Sequence, residues 1–420
     1  MKDKNIITSI DIGTTKIAVI IAEKNNNSLN ILGFGEEKSI GLDKGVVVNI
    51  KNTVKSLKRA IKLAEEQAEH EIDSAYIGLT GENIKGINCS GAITISNSDY
   101  LNPAGEIIAD KDVHKVLEHA KAINLSPDRK ILHVLSQNFK VDERNGIKDP
   151  VGLSGHRLEA KVHLVTISRN IEQDLTTCLD ECDVDVDGFI LEPLASAQSI
   201  LDFNEKELGT VLVDIGGGTS DVIVYHGNCI LHTGAVSLGG ENLTKDIAYG
   251  LQTSIEQAEI IKCKNGIAKT ALSNKENKII IPGTNGRNDR EISESEIANI
   301  IEPRMKEIFH LIKNEIRKSE KHNDLTFGIV LTGGGSKLRN IVELAEEVFE
   351  LRVKIGIPDS INGIIDIINN PRYATVIGIA KCVLSEDSTI LQPNNSTVES
   401  NIIELIQNRI NKFLNFVKLK

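Results

Sequence analysis

The sequence predicts an α/β fold made of two related halves, and three glycine-rich turns that follow strand-like runs carry this prediction. The first turn lies in ITSIDIGTTKIAVIIA (7–22) and the second in VLVDIGGGTSDVIVY (211–225). In both, an apolar run ends in an aspartate, glycine follows, and a second apolar run leaves at once, which is typical of a β-hairpin. The third turn, in GIVLTGGGSKLRNI (328–341), joins a strand to a helical pattern that begins at Leu338. The repeated hairpin indicates two related halves that face one nucleotide.

The residue types in the hairpin turns suit a phosphate group and a divalent cation. Glycine lets backbone N–H groups point into a turn and approach an anion closely. Asp11 and Asp214 suit Mg²⁺ held through water, because hard cations prefer oxygen ligands. Neither a Walker A loop nor a dinucleotide fingerprint is present, and a single glycine-rich turn is as often a plain tight turn. The other phosphate contacts predicted here are Gly13, Thr14, Thr15, Lys16, Gly216, Gly217, Gly218 and Thr219.

The order of the three turns resembles the actin superfamily, which includes actin, heat-shock chaperones, sugar kinases and bacterial filament proteins. The resemblance implies a two-lobed ATPase fold that binds ATP and Mg²⁺ between its lobes. In actin-like proteins the helix that matches GGENLTKDI (239–247) lies beside the nucleotide. The ribose and adenosine neighbours implied in this way are Gly240, Glu241, Asn242, Gly334, Gly335, Ser336 and Lys337.

Two further stretches resemble one family of this superfamily, the bacterial cell-division protein FtsA. They are KDPVGLSGHRLEAKVHLVT (148–166) and TSIEQAEIIKCKNG (253–266), and the resemblance covers about residues 5–384 plus the tail. It implies a protein that polymerises on the cytoplasmic face of the membrane at the division site. There it would bind the C-terminal tail of FtsZ through its second small subdomain, anchor FtsZ filaments and help to recruit later division proteins. Any ATP hydrolysis is expected to be slow at most.

The expected domain organisation follows from this resemblance and from the pattern of elements. The segment 84–163 is too long for a loop and carries a strand pair at 88–96, a helix at 110–122 and strands at 131–141 and 157–167. The expected boundaries are 1–83, 164–195 and 371–384 for subdomain 1A of the first lobe, 84–163 for an inserted subdomain 1C, 196–245 and 321–370 for subdomain 2A of the second lobe, 246–320 for subdomain 2B, 385–400 for a polar linker and 401–420 for a terminal helix.

Glu192, in LEPLASAQSIL (191–201), is the candidate for orienting an attacking water molecule. The alternative is an ordinary acid at a helix N-terminus, where the helix dipole stabilises it. Glu192-Pro193 is closer to the chaperone and MreB pattern than to some FtsA sequences. The sequence leaves open whether the protein hydrolyses ATP.

Composition narrows the class of protein. The net charge of −11 argues against broad nucleic-acid binding. The six cysteines form no CxxC pair, so neither a zinc site nor a disulfide framework is indicated. No signal peptide or apolar run of about 20 residues is evident, and we expect a reducing cytoplasm.

The tail 401–420 predicts a basic amphipathic helix that lies in an anionic membrane surface. It contains four basic residues and one acid in a chain that is acidic as a whole. A helix docked on the protein core is the alternative. The residues expected at the membrane are Ile402, Ile403, Leu405, Ile406, Arg409, Ile410, Lys412, Phe413, Leu414, Phe416, Val417 and Lys418.

Two rival functions share the predicted fold. A soluble small-molecule kinase would need a catalytic aspartate and a substrate pocket in the first lobe, and would have no use for a basic tail. A chaperone should carry a substantial C-terminal substrate domain, for which 385–420 is too short.

Overall fold

The structure is a computed structural model that describes residues 5–25, 28–95, 105–282, 288–359, 361–364 and 369–385. The predicted amphipathic helix at 401–420 and all but the first residue of the linker at 385–400 lie outside these ranges. Within them, no helix combines the length and the apolar character needed to cross a membrane.

The first lobe and its insertion occupy the N-terminal half of the chain. The first-lobe elements are β1 (Ile6–Ile12), β2 (Lys16–Asn25), β3 (Ser28–Lys38), β4 (Leu42–Asp43), β5 (Val46–Val47), α1 (Ile50–Ala68) and β6 (Ser74–Leu79). The elements of the insertion are β7 (Lys85–Thr94), β8 (Glu106–Ile107), α2 (Asp110–Lys121), β9 (Arg129–Val141), β10 (Arg144–Ile147), β11 (Ser154–Gly155) and β12 (Arg157–Ser168). The chain then continues through α3 (Arg169–Asp180), β13 (Asp185–Leu191), α4 (Glu192–Ile200) and α5 (Phe203–Leu208).

The second lobe follows, and the chain then returns to the first. The second-lobe elements are β14 (Thr210–Ile215), β15 (Ser220–His226), β16 (Cys229–Val236), α6 (Gly240–Leu251), α7 (Ile255–Asn265), β17 (Lys278–Ile281), β18 (Arg290–Ser293), α8 (Glu294–Ile316), β19 (Ile329–Thr332), α9 (Ile341–Phe349) and β20 (Val353–Ile355). The short strand β21 (Ile361–Asn362) joins the first-lobe sheet, and the terminal helix Ala374–Leu384 closes that lobe. Short 3₁₀ segments occur at Thr270–Leu272, Gly334–Lys337 and Pro371–Tyr373.

The two lobes repeat one sheet topology. The first-lobe sheet has the order β13-β6-β1-β2-β3-β21, and the second-lobe sheet has the order β16-β15-β14-β19-β20. In each, three antiparallel strands lie beside two parallel ones, with β1 matching β14 and β6 matching β19. The strands of both hairpins are almost wholly buried, as expected for sheets covered on both faces. The predicted α/β fold of two related halves is therefore confirmed.

The insertion forms a separate four-stranded sheet in the order β10-β9-β12-β7, with α2 packed against β7 and β12. The strand pair predicted at 88–96 is wrong: β7 is one strand that pairs with β12 over ten consecutive positions, from Lys85 to Thr94. A second prediction also needs correction. The helix after the third glycine turn begins at Ile341 rather than Leu338, because Gly334–Lys337 forms a 3₁₀ turn and Asn340 adopts a left-handed φ of 55°.

Buried side chains join these units behind the turns. One hydrophobic core combines the first-lobe sheet with Leu132 and Val165 of the insertion and with Ile223 and Ile230 of the second-lobe sheet. A second core lies wholly within the second lobe and includes Phe309 and Ile247. The three sheets therefore hold the glycine turns in one fixed arrangement.

Candidate functional site

The two hairpin turns, about two hundred residues apart in sequence, meet face to face. A Cβ added to Gly217 would lie 2.6 Å from Thr15 Oγ1, and one added to Gly218 would lie 2.6 Å from Thr14 Oγ1. Thr14 Oγ1 also accepts a hydrogen bond from the Gly45 N–H at 3.1 Å. Only glycine allows so close an approach between the turns. The structure thus brings the predicted phosphate residues of both lobes together.

The first turn neutralises its aspartate within the hairpin. Lys16 Nζ donates to Asp11 Oδ2, and both side chains are largely buried. The Gly13 N–H donates to the Lys16 carbonyl at 3.0 Å, which closes the turn and fixes the lysine. The sequence-predicted residues of this turn therefore form one compact charged unit.

The second turn holds its aspartate with hydroxyl groups. Asp214 Oδ2 accepts hydrogen bonds from Ser196 Oγ at 2.7 Å and from Thr375 Oγ1 at 3.1 Å. Burial raises the pKa of Asp214, and the charge of Asp11 adds to this effect, while the two hydroxyls and Lys16 oppose it. Ser196 and Thr375 lie on α4 and the terminal helix, so packing between distant segments completes this part of the site.

Asp221 is a site residue that the sequence interpretation missed. Its Oδ2 accepts hydrogen bonds from Thr80 Oγ1 at 2.7 Å and from Thr219 Oγ1 at 3.2 Å. Burial raises the pKa of Asp221 to about 7, with a further contribution from Asp214. Asp214 and Asp221 are directly opposite in the β14–β15 register. The sequence contained a signal for this second carboxylate, because the register of the predicted hairpin places Asp221 opposite Asp214.

Glu192 begins α4 and lies at the floor of the same cleft. It is buried, with only 8% of its surface exposed, and its Oε1 has no hydrogen-bond partner. Burial holds the pKa of Glu192 well above its ordinary value, and the charges of Asp11, Asp221 and Asp214 raise it further. A buried carboxyl group with an unsatisfied oxygen therefore lies next to the acidic centre of the site, which favours its neutral form.

The start of α6 packs on the second turn. The Gly240 N–H donates to the Gly216 carbonyl at 2.9 Å, and the Glu241 N–H donates to the Gly217 carbonyl at 2.8 Å. Asn242 Oδ1 caps the helix by accepting from the Gly239 N–H at 3.0 Å. This capping position had a sequence signal, because the asparagine follows the glycine by three residues.

Lys262 of α7 is a second residue that the sequence interpretation missed. Its Nζ donates to the Gly240 carbonyl and to Thr244 Oγ1, both at 2.9 Å, and it pairs with Glu259 at 2.7 Å. These contacts fix α7 against the predicted ribose neighbours Glu241 and Asn242.

The third glycine turn lies against the second. Gly333 has a φ of +80°, and a Cβ there would lie 2.6 Å from the Ile215 carbonyl. Ser336 Oγ donates to the Gly333 carbonyl at 2.7 Å, so its hydroxyl closes the turn. Gly334 and Lys337 are exposed, and Gly335 is partly buried. All three turns therefore surround one cleft.

The residues of the cleft fit a phosphate-bound hard cation. The side-chain donors on its floor are carboxylate and hydroxyl oxygens, which Mg²⁺ prefers, and Glu192 Oε1 is an unsatisfied buried oxygen. Among the described residues, no three His, Cys, Asp or Glu side chains are placed to hold a metal ion directly. The prediction of a cation held through water by Asp11 and Asp214 stays a prediction.

Family models match two parts of the chain. The model described as cell division protein FtsA matches residues 211–378, and the model of the SHS2 domain inserted in FtsA matches residues 81–166. The cell division protein FtsA of Pseudomonas aeruginosa is 40% identical over 384 residues, which cover 91% of this chain and 90% of that protein. The chain belongs to the FtsA family. The FtsA of Escherichia coli is 36% identical over 90% of both chains.

Solved structures agree with the fold of this FtsA family member. MreB5 of Spiroplasma citri bound to ADP matches with a TM-score of 0.54 at 14% identity, over 96% of this chain and 99% of that one. The PilM–PilN type IV pilus biogenesis complex matches with a TM-score of 0.62 at 13% identity, over 90% of this chain and 98% of that one. The resemblance to FtsA and the actin-like fold are thereby confirmed, and the chain is an actin-like cell-division protein.

Proposed function

We propose that this FtsA family member binds ATP with Mg²⁺ in the cleft between its lobes and acts as a nucleotide-dependent membrane tether for division filaments. The observation that carries the proposal is the meeting of the two hairpin turns above a floor of Asp11, Glu192, Asp214 and Asp221. Backbone N–H groups of the turns would bind phosphate oxygens. A bound divalent cation would supply the positive charge that this acidic floor lacks.

Roles for individual residues follow from their environments. Lys16 pairs with Asp11 in the first turn and would contact a phosphate. Asp11 and Asp214 would hold the cation through water. Glu192, once a cation has lowered its pKa, would accept a proton from a water molecule and orient it towards the terminal phosphate. Because Lys262, in the C-terminal half of α7, is bonded to the N-terminal turn of α6, these two parts of the helices would receive the nucleoside.

The tethering part of the proposal rests on the tail 401–420. Each basic residue near an anionic surface contributes about 1 kcal/mol, and each half-embedded apolar side chain adds a similar amount. Much of this gain offsets the cost of ordering the tail. A single tail would therefore bind reversibly, and many tails on one filament would bind far more tightly.

Assembly partners follow from family membership. We propose self-association into filaments, binding of the C-terminal tail of FtsZ by the second small subdomain, and recruitment of later division proteins at the inner face of the membrane. Within the second small subdomain, Glu294 at the start of α8 accepts from the Asn274 N–H at 2.7 Å and from Asn277 Nδ2 at 3.3 Å, next to the hairpin β17–β18. Arg339 pairs with the same carboxylate, so this part of the chain offers an ordered surface. Disruption of this subdomain should abolish binding of an FtsZ tail peptide.

Co-sedimentation with vesicles that contain anionic lipid tests the tether. The full chain should pellet with vesicles, more strongly with ATP and Mg²⁺, and a chain truncated to 1–396 should remain in the supernatant. Neutral vesicles and ADP are the matched controls. If the full chain and the truncation both stay soluble, the tail does not anchor the protein. Clear stimulation of ATP turnover by one of a panel of sugars would favour the small-molecule kinase instead.

A further inference from the structure

The inserted sheet touches the first lobe directly behind Glu192. His133 of β9 is fully buried, and its Nε2 accepts a hydrogen bond from the Leu191 N–H at 3.1 Å. Leu191 is the last residue of β13 and the N-cap of α4, so the next residue in the chain is Glu192. His133 therefore fixes the backbone at the point where this acid enters the cleft.

The same sheet touches the second lobe along its edge strand β16. We call this contact the β16 seam; its insertion side chains are Asn88 of β7, Gln137 of β9 and His163 of β12. Asn88 Nδ2 donates to the Leu231 carbonyl at 3.0 Å, and Gln137 Nε2 donates to the Ile230 carbonyl at 2.8 Å. One side chain from each of three strands thus reaches across to the other lobe.

In the β16 seam, each hydrogen bond fixes which atom donates and which accepts in the next one. Because Asn88 uses its amide nitrogen on β16, its Oδ1 accepts from His163 Nδ1 at 2.7 Å and from Gln137 Nε2 at 3.2 Å. His163 Nε2 is then the acceptor for Thr233 Oγ1 at 2.9 Å. Burial lowers the pKa of His163 to about 4, so the imidazole is neutral at neutral pH and keeps this pattern.

The β16 seam lies one strand away from Asp221. In the β15–β16 register Asp221 lies opposite Ala235, and Thr233 precedes Ala235 by two residues on β16. One small pocket is lined by residues of both the seam and the acidic floor: Ile84, Leu191, Pro193, Asp221, Thr233, Gly234 and Ala235. The residues held by the insertion, Leu191 and Thr233, are thus also neighbours of the acidic floor.

We propose that His133 and the β16 seam are positioning elements, by which the inserted subdomain holds Glu192 and Asp221 in the arrangement that binds nucleotide. The seam is fully bonded in the same arrangement in which the two hairpin turns touch. Opening of the cleft would move β16 relative to the insertion and break these bonds. Loss of the seam therefore weakens nucleotide binding, and nucleotide binding in turn stabilises the seam. The inference rests on the proposed nucleotide site but assigns a role to residues that do not touch the nucleotide.

The test uses three variants of the full chain. Thr233→Val removes the hydroxyl that donates to His163, whereas Thr233→Ser keeps it. Thr166→Val is the matched control, because Thr166 is a similarly buried threonine whose hydroxyl donates to the Lys85 carbonyl at 3.3 Å and accepts from Arg129 Nη2 at 2.8 Å, both within the insertion. Affinity for ADP with Mg²⁺ is measured by calorimetry, and hydrogen exchange is followed in peptides that cover 189–196 and 229–236.

Thr233→Val should weaken ADP affinity by about fivefold or more and speed exchange in both peptides. Thr233→Ser and Thr166→Val should remain close to the unmodified chain in both measurements. Equal affinity losses for the two valine variants, or no loss for Thr233→Val, would overturn the inference. If the unmodified chain binds no ADP, the proposed nucleotide site fails, and exchange alone decides the positioning role. In that case faster exchange at 189–196 in Thr233→Val, but not in Thr166→Val, supports it, and unchanged exchange there refutes it.

Discussion

The first hairpin holds Asp11 beside Lys16, whereas the second holds Asp214 between the hydroxyls of Ser196 and Thr375. The two turns share a sequence pattern and a sheet topology, but only the first contains its own cation. The second turn adds another buried carboxylate, Asp221. The first hairpin therefore neutralises its aspartate with its own lysine, and the second hairpin has no cation for its two aspartates.

This difference shows how a repeated motif acquires two roles. In the second half, the pKa values of Asp214 and Asp221 are both raised, first by burial and then by neighbouring negative charges. Without a ligand, protons bound to Asp214 and Asp221 stabilise the second half of the cleft. A bound cation would replace those protons, so we expect ligand binding to release protons and to stabilise the second half more than the first.

The largest expected effect on nucleotide affinity comes from removing the cation of the first hairpin. Lys16 acts on both Glu192 and Asp214, lowering the pKa of each. Lys16→Met would lose a charge-assisted contact with phosphate worth about 1.5–3 kcal/mol, which corresponds to a loss of about 10- to 150-fold in nucleotide affinity. Calorimetry with ADP and Mg²⁺ measures this loss.

The matched control is Lys62→Met, which removes an exposed lysine from α1. Its affinity should match that of the unmodified chain. A loss below about threefold for Lys16→Met would show that the first hairpin does not supply the phosphate contact, and the contrast between the two turns would then lose its functional meaning.

The second prediction concerns how the free energy of unfolding depends on pH through Asp221, a carboxylate of the second half of the cleft. An aspartate in the unfolded chain has a pKa of about 3.9, and in the folded protein the pKa of Asp221 is about 7. The folded state therefore binds this proton more tightly, and the contribution of Asp221 to the stability of the nucleotide-free protein falls as pH rises from about 4 to about 7. That fall is at most about 4 kcal/mol.

Asp221→Asn should flatten that part of the pH dependence, because the amide keeps an acceptor for Thr80 and carries no charge. Urea unfolding should show the variant more stable than the unmodified chain, by a small margin at pH 4 and by the largest margin at pH 8. The exposed Asp43→Asn is the control and should change neither value. An Asp221→Asn variant that is less stable than the unmodified chain at pH 8 would contradict the prediction.

Local patterns predicted the hairpins and long-range packing completed the site. Asp11, Lys16, Asp214 and the glycines lie in short motifs, so the strand period and the turn chemistry were enough to find them. Thr80, Ser196 and Thr375 are single hydroxyls in otherwise apolar segments. Nothing within their own segments marks them, because they acquire a role only when distant elements pack around Asp214 and Asp221.

The insertion illustrates the same limit. Its helix and long strands followed from periodicity, but β7 was misjudged because its partner β12 lies about seventy residues later in the chain. The histidines of the insertion had no metal-binding spacing in the sequence. Their contacts with Leu191 and Thr233 depend on the packing of the insertion against both lobes.

The smallest expected effect tests the hydroxyl support of Asp214. Ser196→Ala removes the 2.7 Å donor to a buried carboxylate and should lower the free energy of unfolding by about 2 kcal/mol. Ser199→Ala is a close control, because Ser199 is equally buried on the same helix but donates to the neutral carbonyls of Ser196 and Ala374. It should cost about 1 kcal/mol.

The two variants differ more clearly in how their loss of stability depends on pH than in the size of that loss. The hydroxyl of Ser196 lowers the pKa of Asp214, so its removal raises that pKa further. A neutral carboxyl group needs this donor less than a carboxylate does. In urea unfolding, the cost of Ser196→Ala should therefore grow as the pH rises through the raised pKa of Asp214, while the cost of Ser199→Ala stays constant. Parallel pH profiles would mean that Ser196 supports helix packing alone, and that the second aspartate is held in place without help from its hydroxyl neighbours.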